Sequence, residues 1–361
     1  MKKVLCLLFV VVFVFTLVTN VHAALGNASS EINIDSVITT DVVNTLQEML
    51  GQVRTEPEGF GFNDVDFSKL SLGSEIVAYR TGYQQITDIK YYKILEDGRI
   101  IAIVTIYVDP KGNPHITVGA DFASELQKYA QKHKEYALLF EGDDLYAISP
   151  NGKGHLHSFP GSSNRIVNRE MQRKSTINYS ASIPLISLSI DEISILSYGS
   201  KYLNVPIKLQ GSDGNCWAAS IASIGQYRTG KNYTARQVCD KAGIGYDEGA
   251  NIYDASYWMS EIYGSKCSNT VYYSKPYVSR IRSDINLNKP MFVAFREITN
   301  DPYPAGHAVI FDGYAYTSTS NIIRYMDPNF STYRTINLVA SDFVIVYGSM
   351  VLEPFAFIGL N

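Results

Sequence analysis

The segment that most constrains the fold is a run of small side chains that begins at Cys216. Residues 216–228 have the sequence CWAASIASIGQYR. The residues that recur there at helical spacing are Ala219, Ala222, Ser223 and Gln226. Small side chains let a helix approach its neighbours closely, so the pattern predicts a tightly packed helix that opens at Cys216.

The predicted helix start bears on the chemistry of Cys216. Residues 205–217 (VPIKLQGSDGNCW) place an apolar strand end and then a polar, glycine-containing loop before the cysteine. Unpaired backbone N–H groups and the positive end of the helix dipole face a side chain at this position, and they favour a thiolate over a thiol. The sequence therefore predicts a nucleophilic cysteine, while a buried structural cysteine remains the alternative.

A nucleophilic cysteine needs a base, and only one histidine lies beyond residue 200. His307 stands in residues 304–314 (PAGHAVIFDGY), where a turn feeds an apolar strand. We expect its ring to project from the strand start into a cleft and to serve as general base. A histidine that is merely packed in the core is the alternative.

The base in turn needs an acidic partner that orients the imidazole. Asp327 ends an apolar strand in residues 322–329 (IIRYMDPN), and a carboxylate at the end of a neighbouring strand is well placed to accept from the ring. Asp312 is the competing candidate. It lies five residues along the same predicted strand as His307, which puts it on the opposite face, so we favour Asp327.

The order of these residues resembles that of the papain-like cysteine peptidases, above all their compact bacterial branch of C39-like and staphopain-like proteases. The resemblance rests on Gln210, on the pair Cys216-Trp217, on His307-Ala308 and on the later Asp327. The sequence DGNCW stands where the papain signature has C-G-[SA]-C-[WY], and MDPN replaces the papain Asn-Ser-Trp segment. The resemblance covers about residues 200–361.

This resemblance implies a fold, an activity and a role for Gln210. The fold is α+β, with a papain-like catalytic domain made of a helical subdomain and an antiparallel β-sheet or half-barrel. The thiolate of Cys216 would attack a protein or peptide substrate, and Gln210 would share the oxyanion with the backbone N–H of Cys216. No cofactor and no metal ion are expected. Trp217 is expected to pack the helix against the core.

The N-terminal residues predict an export signal. Lys2 and Lys3 precede an apolar run over residues 4–18, and Val21-His22-Ala23 supplies a cleavage site after Ala23. A membrane anchor is the alternative, but the run is shorter than the ~20 residues that a spanning helix needs. We therefore expect a signal peptide over residues 1–23, a secreted protein and no stable membrane anchor.

Removal of this signal leaves an odd number of cysteines. Cys6 departs with it, and Cys216, Cys239 and Cys267 remain. Extracellular cysteines are usually paired, so Cys239 and Cys267 form a candidate disulfide once Cys216 is the free thiol. Two reduced, buried thiols are the equal alternative. Thr234 and Gln237 match a capping box at the start of the helix that holds Cys239.

The first half predicts a smaller α+β pro-domain over residues 24–160. Its predicted helices are 41–51 and 123–133, and its predicted strands are 75–82, 90–108 with a turn at Asp97-Gly98, and 136–148. Residues 161–200 then form an exposed connector that carries the activation cleavage, and residues 201–361 form the peptidase domain. The acidic first half, with 15 basic against 22 acidic residues over 24–200, weakly favours a pro-segment lying on the near-neutral second half.

These observations predict a secreted cysteine endopeptidase made as a zymogen and inhibited by its own pro-domain. The formal charge of −4 gives no basic surface for nucleic acid. His155 and His157 could share a strand face and bind a metal ion, but no nearby Cys or carboxylate in the sequence completes a metal site. The alternatives are an amidase, acyltransferase or peptidoglycan hydrolase with the same Cys-His pair, or an inactive binding module.

Overall fold

The structure is a computed structural model. It describes residues 37–160, 177–181, 184–188, 190, 199–298, 305–317, 320–338 and 342–361. Residues 40–361 form one compact unit, and residues 1–39 form a second unit of which only 37–39 are described. The predicted signal peptide therefore lies outside the described residues, as does most of the predicted connector.

Six α-helices occur in the described part of the chain. They are α1 (Thr40–Thr55), α2 (Ala123–Ala130), α3 (Cys216–Thr229), α4 (Ala235–Ala242), α5 (Ile252–Tyr263) and α6 (Val278–Asn286). Single 3₁₀ turns lie at Pro57–Phe60, Phe67–Lys69 and Ser265–Cys267. None of the described helices combines the length and the apolar character needed to cross a membrane.

Most of the strands belong to one sheet, which has thirteen strands within the described residues. In chain order these are β1 (Leu70–Ile76), β4 (Ile89–Glu96), β5 (Arg99–Val108), β6 (Pro114–Gly119), β11 (Pro184–Ser187), β12 (Gly199–Tyr202), β13 (Asn269–Tyr272), β14 (Met291–Glu297), β15 (Gly306–Tyr316), β16 (Asn321–Met326), β17 (Tyr333–Leu338), β18 (Ile345–Tyr347) and β19 (Met350–Leu360). Their order across the sheet is β11-β1-β4-β5-β6-β17-β16-β15-β14-β19-β13, with β12 beside β15 and β18 beside β19.

A second sheet lies wholly in the first half of the chain. It contains β2 (Ala78–Arg80), β3 (Gln84–Gln85), β7 (Glu135–Glu141), β8 (Asp144–Ser149), β9 (Gly152–Ser158) and β10 (Ser180–Ala181). All its pairs are antiparallel except β2 with β7. The chain thus combines helices with largely antiparallel sheets, as the predicted α+β class requires.

The large sheet runs without a break from the first half of the chain into the second. The junction is the antiparallel pair of β6 and β17, where Thr335 faces Val118 and Ile336 faces Thr117. A buried amide adds to it, because Asn337 Oδ1 accepts from the backbone N–H of Ile116 at 2.6 Å. Strands from both sides of the predicted domain boundary therefore share one hydrogen-bonded sheet.

Two buried arginines of the second half reach acidic residues across the same junction. Arg324 is fully buried, pairs with Asp312 at 2.9 Å and also contacts Glu56, just beyond α1. Arg334 of β17 pairs with the buried Asp121 at 2.9 Å. An uncompensated charge in a protein interior is costly, so each buried arginine needs acidic partners. Arg334 has Asp121 of the first half, and Arg324 has Asp312 and Glu56.

Local sequence signals account for several of these elements. Asp97 and Gly98 both have positive φ, 48° and 82°, which is the turn geometry that an Asp-Gly pair favours between β4 and β5. Thr234 Oγ1 accepts from the N–H of Gln237, whose side chain accepts from the N–H of Thr234. The hairpin and the capping box are therefore both confirmed.

The predicted connector is not exposed throughout. Residues 184–187 form β11 and pair with β1, and the side chains of Leu188 and Ile190 are buried. The interpretation of residues 161–200 as uniformly exposed is wrong for this stretch. The alternation of Ile and Leu with Ser in this stretch is too short to predict a strand by itself. The strand forms because the stretch pairs with β1.

Helix α3 approaches its neighbours as closely as its small residues predict. Its residues 217–225 are all buried, and Ser220 Oγ donates to the carbonyl of Ala308 on β15 at 3.4 Å. At Gly225 a Cβ atom would lie 2.2 Å from the ring of Tyr263 on α5. The glycine is therefore required by the close approach of α5.

Replacing Gly225 by alanine tests this close packing. In an exposed helix the change stabilises by about 1 kcal/mol, but here we expect a loss of about 1–3 kcal/mol in the free energy of unfolding, because the methyl group overlaps Tyr263. Urea denaturation followed by circular dichroism measures it. Gly249→Ala is the control, since nothing lies within 4 Å of its added Cβ. Equal stability of Gly225→Ala and wild type would contradict the packing argument.

Candidate active site

Cys216 is the first residue of helix α3. The carbonyl of Asn215 accepts from the N–H groups of Ala218 and Ala219 at 3.0 and 3.1 Å, which begins the helix directly before the cysteine. The Cys216 side chain is a free thiol and only partly buried. Trp217 next to it is buried and donates its indole N–H to the carbonyl of Glu248 at 3.1 Å, so it packs the helix, as predicted.

His307 is the second residue of strand β15, and its ring meets the site from the sheet side. Its Nε2 lies 2.9 Å from Oδ1 of Asp327, which directly follows strand β16. Both side chains are buried. The two neighbouring strands thus bring together the histidine and the carboxylate that the sequence favoured.

Cys216 also interacts with the His307 ring. Burial lowers the pKa of His307, but the Asp327 carboxylate and a hydrogen bond with Cys216 raise it more strongly, to about 10. Because Nε2 is engaged by Asp327, Nδ1 is the nitrogen left for the sulfur. A charged imidazole beside a thiolate is the arrangement that nucleophilic cysteine chemistry requires.

Asp327 is held ionised by its neighbours. Burial raises the pKa of this carboxyl group, but His307, Arg334 and the N–H of Asn329 lower it below its usual range. The backbone N–H of Asn329 donates to Oδ1 at 3.0 Å. Its side-chain amide adds a weaker contact at 3.3 Å.

Asp312 is engaged elsewhere. Both its carboxylate oxygens accept from Arg324, at 3.1 and 2.9 Å, and the pair is buried. Burial raises the pKa of Asp312 to about 6, although Arg324 opposes the shift. In the described structure it is therefore Asp327, and not Asp312, that contacts His307.

Tyr347, at the end of β18, contacts the site although sequence reasoning did not select it. Its ring stacks on the imidazole of His307, with centroids 4.2 Å apart and planes 24° apart. Its hydroxyl accepts from Nδ2 of Asn329 at 2.8 Å. The chain has 26 tyrosines, and no local pattern distinguishes this one, because its role depends on the long-range pairing of β18 with β19.

Gln210 lies in the loop before α3 and is buried. Its backbone N–H donates to the carbonyl of Pro328 at 3.0 Å, which ties the loop to the turn after Asp327. Its side-chain Nε2 donates to the carbonyl of Asp213 at 3.1 Å and to that of Pro160 at 3.3 Å. The predicted oxyanion donor is therefore in contact with the end of the first half of the chain.

Aromatic contacts bring the end of β9 to the same place. His157 stacks on Phe330 with centroids 4.8 Å apart, and Phe159 meets Tyr347 edge-on at 5.4 Å. The Tyr347 hydroxyl donates to the carbonyl of Pro160 at 2.8 Å. Residues 157–160 thus lie against the side chains that surround His307.

The candidate disulfide is not formed. Cys239 and Cys267 are free and buried, and burial raises the pKa of each thiol to about 11. Cys239 is influenced by Asp240 and Asp213, whereas Cys267 is influenced by Arg228 and Lys231. Because their charged neighbours differ, the two thiols occupy separate surroundings and behave as small apolar side chains.

The remaining histidine pair from the sequence is also accounted for. His155 Nε2 lies 3.2 Å from Asp144 Oδ1 and 3.0 Å from Ser158 Oγ. Burial lowers the pKa of His157 to about 4, although Asp327 opposes the shift. Within the residues that the structure describes, no three His, Cys, Asp or Glu side chains form a group able to hold a metal ion.

Comparison with known proteins finds a family similarity in the second half of the chain. Residues 202–352 match the Peptidase_C39 like family. No curated protein matches the chain. One similar solved structure is the digestive procathepsin L 3 of the Tenebrio molitor larval midgut, with 13% identity, a TM-score of 0.30, and coverage of 43% of this chain and 69% of that one. The family match spans Cys216, His307 and Asp327, so this part of the chain is similar to a family of cysteine peptidases.

Proposed function

We propose that the protein is a secreted endopeptidase made as a zymogen, with Cys216 as nucleophile, His307 as general base and acid, and Asp327 as the orienting carboxylate. The observation that carries this proposal is the His307 ring, which contacts Asp327 through Nε2 at 2.9 Å and interacts with Cys216. A histidine that only packed in the core would not need a buried carboxylate on one side and a partly exposed thiol on the other.

The proposed reaction follows from these contacts. His307 takes the proton of Cys216, and the thiolate attacks the peptide carbonyl carbon to give a tetrahedral intermediate. His307 then gives its proton to the leaving amine, and water hydrolyses the acyl-enzyme. Asp327 keeps the imidazole oriented and stabilises its charged form throughout.

The zymogen part of the proposal rests on the first half of the chain. The carbonyl of Pro160 accepts hydrogen bonds from Gln210 and Tyr347, and the ring of Phe159 packs on Tyr347. A substrate chain cannot approach the same groups while residues 157–160 remain there. The export signal predicted over residues 1–23 supports secretion, since a secreted protease needs such restraint inside the producing cell.

Removal of the thiol tests the nucleophile. We expect Cys216→Ala to lower hydrolysis of a peptide library by at least about 10³-fold, because it removes the sulfur that forms the acyl-enzyme. Cys239→Ala is the matched control. The Cys239 thiol is buried, so its removal should leave the rate of hydrolysis unchanged. A thiol-directed alkylating agent should inactivate the wild type through Cys216 alone, as mass spectrometry can establish.

The pH profile tests Asp327. The carboxylate raises the pKa of His307, so Asp327→Asn should move the alkaline fall of kcat/KM to lower pH, by about one unit for each 1.4 kcal/mol of lost charge stabilisation. The reason is that His307 loses its proton more readily without the negative charge. Asp312→Asn should leave that limb in place and lower stability instead, because Asp312 pairs with Arg324. If the alkaline limb moves in Asp312→Asn and not in Asp327→Asn, then Asp312 and not Asp327 is the carboxylate that acts on His307.

Intact mass of the secreted protein tests the zymogen. Wild-type protein should lose residues 1–23 and then be cut within residues 161–200, while Cys216→Ala should lose only the signal. If Cys216→Ala in pure form is cut at the same place and rate, the processing is not autocatalytic. If the full-length protein is as active as the processed one, the first half is not inhibitory.

A further inference from the structure

The carbonyl oxygen of Pro160 receives two hydrogen bonds from side chains of the second half. One comes from Nε2 of Gln210 at 3.3 Å, and the other from the hydroxyl of Tyr347 at 2.8 Å. A carbonyl oxygen has two lone pairs and can accept both. The two donors therefore form a site for one carbonyl oxygen.

The Tyr347 hydroxyl is oriented toward this site. Its oxygen accepts from Nδ2 of Asn329 at 2.8 Å, so its single proton is free to point to Pro160. The side chain is buried, and burial keeps the pKa of Tyr347 well above its usual value. The hydroxyl thus stays protonated and remains a donor.

The Gln210 amide is oriented by the same logic. Its two nearest polar neighbours are the carbonyl oxygens of Asp213 and Pro160, which can only accept, so the NH₂ end of the amide must face them. The Asp213 carbonyl takes one N–H at 3.1 Å, and the second points to Pro160. Both donors are therefore fixed before any substrate binds.

The carbonyl site lies beside the reactive pair. The Tyr347 ring stacks on His307, and Cys216 is close enough to Tyr347 to raise the pKa of its hydroxyl further. The backbone of Gln210 is bonded to the turn that follows Asp327. Tyr347 thus connects the carbonyl site to His307, and Gln210 connects it to the turn after Asp327.

We propose that the Tyr347 hydroxyl is a catalytic residue, the second side-chain donor of the oxyanion site next to Gln210, and that the carbonyl of Pro160 occupies this site in the full-length chain. The proposal rests on the mechanism proposed for Cys216 and His307. Tyr347 does more than shield the imidazole, because its hydroxyl is aimed at the oxygen that becomes charged.

The chemistry assigns each electron pair and proton. As the sulfur bonds to the carbonyl carbon, the C=O π pair moves to the oxygen, which accepts from Tyr347 Oη–H and Gln210 Nε2–H. The pair then returns to reform the C=O bond, the C–N bond breaks, and the amine leaves with the proton held by His307. Tyr347 keeps its proton and donates only a hydrogen bond.

The variant Tyr347→Phe tests the proposal, because it keeps the ring on His307 and removes only the hydroxyl. After processing of the first half, we expect kcat per titratable Cys216 thiol to fall by about 10²-fold with the pH profile unchanged, as for loss of one oxyanion donor. The alkylation test uses the full-length protein, in which Pro160 occupies the site. Alkylation of Cys216 by iodoacetamide should become faster, up to about tenfold, because Pro160 loses its shorter hydrogen bond.

Tyr91→Phe is the matched control. Its hydroxyl donates at 3.2 Å to the carbonyl of Gly348, the residue after Tyr347, and does not contact Pro160. It should change neither kcat nor the alkylation rate. Wild-type values of both quantities in Tyr347→Phe would overturn the proposal.

A second measurement applies if Tyr347→Phe does not fold. Replacement of Tyr347 by 3-fluorotyrosine keeps the ring and makes its hydroxyl a more acidic hydrogen-bond donor, so turnover should persist. Its fluorine resonance should shift when a peptide aldehyde bonds to Cys216, and an unchanged resonance would overturn the proposal. Cys216→Ala distinguishes failure of the proposed mechanism from failure of the role of Tyr347. If Cys216→Ala is active, the mechanism itself is wrong. If Cys216→Ala is inactive and Tyr347→Phe is fully active, only the role of Tyr347 is wrong.

Discussion

The close approach of helix α3 to strand β15 is the constraint on which the site depends. Cys216 and His307 come from different elements, and the small alanine and serine side chains of the helix let it lie close to its neighbours. Ser220 donates directly to the carbonyl of Ala308, the residue after His307. Packing density at this contact thus determines the geometry of the chemistry.

Buried charge organises the region behind that contact. His307 is paired with Asp327, and Arg334 lowers the pKa of Asp327 while pairing with Asp121 of the first half. Asp312 and Arg324 form a separate buried pair. Each charge has an opposite charge beside it, which an interior of low dielectric requires. Asp327 is therefore part of a wider network that extends through Arg334 to Asp121 in the first half of the chain.

Local pattern predicted the elements that depend on local chemistry. The helix at Cys216, the strand that starts next to His307, the Asp97-Gly98 turn and the Thr234 cap each follow from spacing or from the special geometry of a few residues. What the sequence left open depends on distant partners. Tyr347 acquires its role through strand pairing, β11 through its pairing with β1, and the free state of Cys239 and Cys267 through tertiary surroundings. Periodicity carries no information about such contacts.

The β6–β17 pairing has a consequence for what a cut in the connector can achieve. Hydrolysis of one peptide bond there leaves the continuous sheet intact, along with the Arg334–Asp121 and Arg324–Glu56 contacts. The two fragments would stay together as a noncovalent complex, held as two subunits of a heterodimer are. Their separation would turn β17 into an edge strand with unpaired backbone groups. It would also remove Asp121 from Arg334 and leave Arg324 with Asp312 but without Glu56. Release of the first half after such a cut would therefore be a separate dissociation step with its own free-energy cost.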